Sequence, residues 1–330
     1  MEKLKLGVVG TGHLGKLHIK MLKHSNNVEF IGIYDADPEH AKLAAAEYGV
    51  DVFENIEDLI SKVDAVSVAT TTIAHHELCK ICLSAGVHVF VEKPITTTID
   101  EAEELIKIAA NKKLNLQVGH IERFNPALLS LEKYILEPMF IQTDRLAQFN
   151  PRGTDVAVVL DLMIHDIDII LSLIKSPVKR IDANGVAVVS DSLDIANARL
   201  QFENGAVANV TASRISQKKM RKMRIFQRDT YLSLDFTTGV SEVYRLTAID
   251  EPVASSISFG EIGIGEKKKR VVYEQPEVRE VNALQYELQL FVDSILKGVK
   301  PIVSGEDGLR ALRVAQIIIQ KIEEPKAKGI

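Results

Sequence analysis

Leu6-Gly7-Val8-Val9-Gly10-Thr11-Gly12-His13-Leu14-Gly15 is the stretch on which the fold turns. An apolar strand-like run enters a Gly-x-Gly-x-x-Gly turn, and a helical pattern follows. In that setting each glycine has its own reason. Gly10 admits the tight turn, Gly12 lets a ligand approach the backbone, and Gly15 lets the new helix pack on the strand. The free N–H groups and positive end of the helix then suit a pyrophosphate. Alone the hexapeptide is weak evidence, because glycines also serve ordinary turns. Asp35 strengthens it: it stands twenty residues after Gly15, at the end of the next expected strand, where a carboxylate accepts from ribose hydroxyls. A 2′-phosphate would be repelled there, and residues 36–40 hold no Lys or Arg, so NAD is expected rather than NADP. The competing reading makes Asp35 the N-cap of the helix beginning near Pro38.

Outward from this motif, strands are expected at 6–9, 28–34, 65–69, 87–91 and 115–118, and helices near 13–24, 38–48, 56–61, 74–85 and 100–111. Such alternation implies a parallel, doubly wound sheet, an α/β Rossmann domain over 1–122. Beyond about residue 125 the texture changes. Helices are expected at 126–137 and 153–174, then strands near 180–189, 194–202, 205–213, 220–226 and 229–236, joined by turns such as Glu203-Asn204-Gly205. They predict an α+β domain over 123–330 with a largely antiparallel open sheet, closed by helical stretches at 282–297 and 308–319.

A net charge of −5 over 330 residues, with both signs mixed along the chain, gives nucleic acid or an anionic membrane no electrostatic support. The apolar stretch 156–174 carries Asp161, His165, Asp166 and Asp168, which a bilayer span of about 20 apolar residues tolerates poorly. No secretion leader is expected, because the residues ahead of the first strand show no apolar core of the kind such leaders carry. Cys79 and Cys82, the two cysteines, sit in a helical pattern without a second pair to complete a metal site, so they read as helix packing. A cytoplasmic protein without a metal is expected.

Glu92-Lys93-Pro94 follows the strand at 87–91, at the ligand-binding edge of the sheet. A lysine there can hydrogen-bond a reacting hydroxyl and stabilise the developing alkoxide, although a surface lysine is the bland alternative. A cis Lys93-Pro94 bond is expected. Downstream, at about 100° per residue, Asp161, His165 and Asp168 fall within roughly 60° of one another, with Asp166 on another side. Three polar groups on one face of an apolar helix need either hydrogen-bond partners or a function.

With these motifs in order, the chain resembles the glucose-fructose oxidoreductase and inositol 2-dehydrogenase (Gfo/Idh/MocA) family. The resemblance runs nearly end to end and includes Ala69-Thr70 with His75, Ala85-Gly86-Val87-His88-Val89, Arg123-Phe124-x-Pro126, Glu287-x-x-x-Phe291 and Gly298-x-x-Pro301. Met163 departs from the glycine found in many members. The resemblance implies an NAD-dependent oxidoreductase acting on a secondary hydroxyl of a sugar. His165 would take the hydroxyl proton, Asp161 would stabilise the imidazolium, and Lys93 would orient the oxygen; an imidazole pKa of ~6.5 suits this exchange. It places Gly10, Gly12, His13, Leu14, Gly15, Asp35, Thr70, His75, Glu92 and Lys93 at the cofactor. Lys93, Arg123, Asn125, Arg152, Asp161 and His165 are placed at the substrate.

The segment 119–126 is similar to that of members acting on UDP-N-acetylglucosamine, which they oxidise at C3. A diphosphate would then draw on Arg145, Arg152, Arg214 or the basic stretch 218–224; that stretch reads equally as a charged sheet edge. Two alternatives stand beside this reading. One is a dehydrogenase of a free polyol or hexose such as an inositol. The other is a non-catalytic NAD-bound sensor, against which the joint presence of Lys93, Asp161 and His165 argues. An open sheet face needs cover, so a homodimer or homotetramer is expected.

Overall fold

The computed structural model describes residues 3–150, 156–251 and 257–324. From the N-terminus, β1 (Leu4–Val9), α1 (His13–Lys23), β2 (Val28–Tyr34), α2 (Pro38–Tyr48), α3 (Ile56–Ile60), β3 (Ala65–Val68), α4 (Thr72–Ser84), β4 (His88–Glu92), α5 (Ile99–Lys112) and β5 (Leu116–Gly119) alternate as the pattern predicts. Their strands pair in parallel in the order β2-β1-β3-β4-β5. The order reverses between β1 and β3, and at such a switch point the crossovers leave on opposite faces and open a crevice beyond the strand C-termini. Every residue of β3 is buried, which is why the strand is a short small-to-apolar run without alternation. The helix starts are written locally. Asp37 accepts from the amides of Glu39 and His40, and Thr98 and Glu101 form a reciprocal capping box on α5.

Past a 3-10 turn (Ile121–Phe124) comes α6 (Pro126–Leu129), much shorter than the helix expected at 126–137. Ser130 Oγ donates to the Ala127 carbonyl at 2.8 Å and lies 2.6 Å from the Ser241 hydroxyl, tying the chain to the sheet, and Pro138 disfavours helix at Glu137. The strand β6 (Phe140–Leu146) was not anticipated, although Ile141, Thr143 and Arg145 alternate as buried positions. A π-helical turn (Val159–Met163) feeds α7 (Ile164–Leu173), so the helix expected from 153 opens on a wide turn, and residues 151–155 lie outside the described ones. There follow β7 (Val178–Val186), β8 (Ile195–Phe202), β9 (Val207–Ser213), β10 (Met220–Gln227), β11 (Thr230–Asp235), β12 (Val240–Thr247), β13 (Ile257–Ile262) and β14 (Lys269–Glu274). With β6 they form a nine-stranded sheet, β13-β14-β12-β11-β10-β6-β9-β8-β7, antiparallel except for the parallel β6–β9 pair. One face is apolar, with Met223, Ile225, Leu232, Leu234 and Val243 buried. The basic strand β10 sits between β11 and β6, which corrects the edge reading; its charges face solvent from mid-sheet.

The last helices, α8 (Ala283–Leu296) and α9 (Gly305–Glu323), begin by returning to the first sheet. Leu284, Leu288, Phe291 and Val292 of α8 join Leu6, Val8, Ile19, Leu22 and Phe90 in one core, with Phe291 edge-on to Phe90 at 5.8 Å. One compact unit therefore comprises the chain to Ile121 together with Asn282–Arg313, and the other comprises Glu122–Val281 and the residues from Val314. Contiguous domains over 1–122 and 123–330 do not allow for this return. The apolar face of α8 is buried there, four side chains at about 1.5–3 kcal/mol each.

Candidate active site

The crevice between β1 and β3 is a cleft of about 700 Å³. Gly10, Gly12, His13, Leu14, Asp35 and Thr70, six of the residues expected at a cofactor, line it. Gly10 has φ +92°, and a Cβ there would lie 2.7 Å from the Ala69 carbonyl oxygen. A Cβ on Gly15 would lie 1.9 Å from the Gly10 carbonyl oxygen, so only glycine lets α1 sit against the turn. Around Gly12 a Cβ meets nothing within 4 Å, which leaves room at the cleft wall, and no side chain caps α1. Its first N–H groups are thus presented to whatever enters, as a pyrophosphate requires.

Asp35 is held for acceptance at the rim. Its Oδ2 accepts from the Thr11 amide at 2.6 Å and the Thr11 hydroxyl at 2.7 Å, and its Oδ1 accepts from the Asp37 amide at 2.9 Å. Asp37, not Asp35, caps α2, which removes the N-cap reading. Asp35→Ala is expected to raise the Michaelis constant for NAD and relax discrimination against NADP, since a ribose acceptor and a charge repelling a 2′-phosphate disappear together. Unchanged NAD/NADP preference in steady-state kinetics would take Asp35 out of the site.

Sequence reasoning missed the apolar wall of the cleft, formed by Ile56 with Ala74, Leu78 and Ile81 of α4. The i, i+4, i+7 spacing on α4 was the available signal. Cys79 and Cys82 occupy a different face, free and buried; burial pushes the Cys79 thiol well up and the Cys82 thiol to about 12, so both are inert packing groups.

Two expected cofactor residues lie behind the cleft. His75 is fully buried, with Nδ1 2.9 Å from the Pro94 carbonyl and Nε2 3.3 Å from the Thr70 carbonyl; a neutral ring carries one N–H and donates to one of the two. Burial lowers its pKa and favours the neutral ring. Glu92 is buried against His18, whose Nε2 lies 3.0 Å away, and it accepts from the Lys93 amide at 3.2 Å. Burial opposes its charge, but the His18 hydrogen bond and the positive charge of Lys93 hold the carboxyl below its usual range. Gly119, paired with Glu92 across β4 and β5, leaves space for it: a Cβ there would lie 3.0 Å from Glu92 Oε2. The Lys93-Pro94 bond is cis.

In the second unit, Asp161 and His165 are partly exposed, on either side of the junction between the π turn and α7. The π turn closes i→i+5, so the 100° phase assumed between them does not hold. Asp168 does not share their exposure. It is buried and receives Arg123 Nε and Nη2, each at 2.6 Å. Asp166 is buried too, accepting from Arg145 at 2.8 and 3.0 Å, while Arg145 Nη1 donates to Glu122 at 2.8 Å. Burial disfavours the guanidinium charge, but Asp166 and Glu122 outweigh it and raise the Arg145 pKa above its ordinary value.

Other expected anion or substrate groups are committed inside the fold. Arg214 is buried on Asp194 at 2.9 Å and on the carbonyls of Val156 and Leu193, each at 2.8 Å. Asn125 caps α6 through the Ala127 amide at 3.1 Å and donates to the Phe236 carbonyl at 3.1 Å. Arg145 and Arg214 are thus committed to internal pairs, because a buried charge must be paired, and the half-buried Arg123 and Asn125 also make hydrogen bonds within the unit. Arg152 lies outside the described residues. Lys218 and Lys219 remain exposed, and Arg221 is half-exposed beside Glu122 at 3.4 Å.

A parallel sheet with a glycine-rich turn at its switch point and a ribose-side carboxylate defines a dinucleotide-binding domain of the oxidoreductase class. Residues 4–120 match the model of an oxidoreductase family with an NAD-binding Rossmann fold, and residues 140–232 match the GFO/IDH/MocA C-terminal domain. UDP-N-acetylglucosamine 3-dehydrogenase of Acidithiobacillus ferrooxidans is 35% identical over 316 residues, covering 96% of each chain. Its solved structure superposes with a TM-score of 0.87 over 98% of this chain and 99% of that one. Inositol 2-dehydrogenase of Rhizobium meliloti is 25% identical over 350 residues, 99% of each. The chain belongs to the Gfo/Idh/MocA family of oxidoreductases, and its cofactor is NAD. Among the described residues, no helix is long and apolar enough to cross a membrane.

Proposed function

We propose that the chain oxidises the C3 hydroxyl of a UDP-N-acetylglucosamine-like nucleotide sugar to a ketone. The observation that carries this is the end-to-end likeness, at 35% identity, to a UDP-N-acetylglucosamine 3-dehydrogenase. NAD supplies the hydride acceptor. Gly12, the α1 N-terminus and Asp35 would hold it, with the Ile56, Ala74, Leu78 and Ile81 wall of the same cleft offering an apolar surface to its base. Lys93 donates to the sugar oxygen and orients it. As the C–H hydride leaves, His165 takes the O–H proton, and Asp161 stabilises the imidazolium that forms. With Arg145 and Arg214 committed, Lys218, Lys219 and Arg221 are assigned to the diphosphate. Turnover of UDP-N-acetylglucosamine carrying deuterium at C3 tests the carbon: the label should pass to the nicotinamide with a primary isotope effect. Unlabelled NADH from that substrate would move the reaction to another carbon.

The same reading includes a second copy on the open face of the nine-stranded sheet. Phe140, Phe226, Tyr231, Tyr244 and Tyr273 are direct cross-strand partners, with ring centroids 4.8–5.8 Å apart from one to the next. Phe226 is 40% and neighbouring Phe259 is 60% exposed, an aromatic row of the kind that marks interfaces. Sedimentation should show a dimer or tetramer that Phe226→Glu dissociates; a monomeric wild type would remove this assignment.

A further inference from the structure

His18, Ser67 and Glu92 form a buried polar chain to which the chemistry above gives no part. Ser67 Oγ lies 2.7 Å from His18 Nδ1, His18 Nε2 lies 3.0 Å from Glu92 Oε1, and Glu92 Oε2 accepts from the Lys93 amide. Hydrogen-bond accounting fixes the directions. A carboxylate only accepts, so Nε2 carries a proton; the buried Ser67 hydroxyl has this ring as its one partner among the described residues and donates to Nδ1. Little can relax around the chain. Phe90 stands edge-on to the His18 ring at 5.5 Å, and Gly119 backs the carboxylate. Three elements meet here: His18 is on α1 three residues past Gly15, Ser67 is on the strand leading to Thr70, and Glu92 precedes Lys93.

The geometry points to Glu92, held by His18 and Ser67, as the positioning residue for Lys93, the lysine that meets the sugar hydroxyl. This rests on the role given to Lys93 above and deepens it. Glu92→Gln keeps the size of the side chain but turns one acceptor into a donor, which opposes either the His18 Nε2–H or the Lys93 N–H. With NAD and UDP-N-acetylglucosamine, kcat should fall by up to about 10²-fold, as small misplacements of a reacting group do. NAD affinity by calorimetric titration should stay nearly unchanged. The deciding comparison repeats the substitution in Lys93→Ala, using single-turnover rates at high enzyme concentration. A residue acting through Lys93 has no further effect there, whereas general loosening of the fold lowers the rate equally in both backgrounds. Ser67→Ala, the milder variant, should show the same pattern with a smaller loss. Equal losses in the two backgrounds would overturn the positioning role while leaving Lys93 in place. Wild-type turnover in Lys93→Ala alone would overturn the role of Lys93 and this inference with it.

Discussion

Lys93→Ala and His165→Ala are each expected to lower kcat by roughly 10²–10⁴ while NAD affinity stays almost intact. Lys93 follows β4 beyond the residues that line the dinucleotide cleft, and His165 belongs to the other unit, so neither contributes to the cleft itself. Binding and chemistry therefore separate. On the proposal that both groups act on one hydroxyl, the double variant should be far less damaged than the product of the two single losses, the non-additivity of groups that work as a unit. Calorimetric titration with NAD and rapid-quench turnover on the same preparations check both halves. Loss of NAD affinity in parallel with turnover would make these residues structural.

Asp166→Ala should fail in the opposite manner. By helix phase alone Asp166 is a harmless neighbour of His165, a control expected to tolerate truncation. In the structure it is the bidentate partner of a buried arginine. Removing one partner of such a pair costs about 3–5 kcal/mol, because an uncompensated buried charge is left behind. Against a typical total stability of about 5–15 kcal/mol that is a severe loss. The melting temperature should drop steeply, while the fraction that remains folded turns over at close to the wild-type rate. Asp166→Asn, which keeps one acceptor for Arg145, should recover part of the loss. Wild-type melting of Asp166→Ala would show that Glu122 alone compensates Arg145.

The contrast between His165 and Asp166 shows what the sequence could tell and what it could not. The dinucleotide half was legible because its determinants are local: three glycines at fixed spacing, a strand before and a helix after, and Asp35 at the next strand end. The position of Lys93 was legible for the same reason: it follows β4 at a strand C-terminus. Arginines were not. Arg123, Arg145 and Arg214 look alike in sequence whether they reach into solvent or close a buried pair, and the difference lies in carboxylates 45, 21 and 20 residues away. His75 and Glu92 were placed in the right neighbourhood but one layer too far forward, since sequence gives position along a strand and not depth behind a loop. The return of α8 to the first sheet escaped because nothing in an amphipathic helix states which apolar surface will receive it. The truncation of α6 was only partly readable, from Pro138, because the tether from Ser130 to Ser241 spans 111 residues.

The most direct test of the proposed activity is the initial rate of nicotinamide reduction with NAD and either UDP-N-acetylglucosamine or myo-inositol at matched concentrations. A site shaped for the nucleotide sugar predicts that kcat/KM for UDP-N-acetylglucosamine exceeds that for the free polyol by at least about 10²-fold. Equal rates, or a preference for myo-inositol, would contradict the account and make the chain a polyol dehydrogenase.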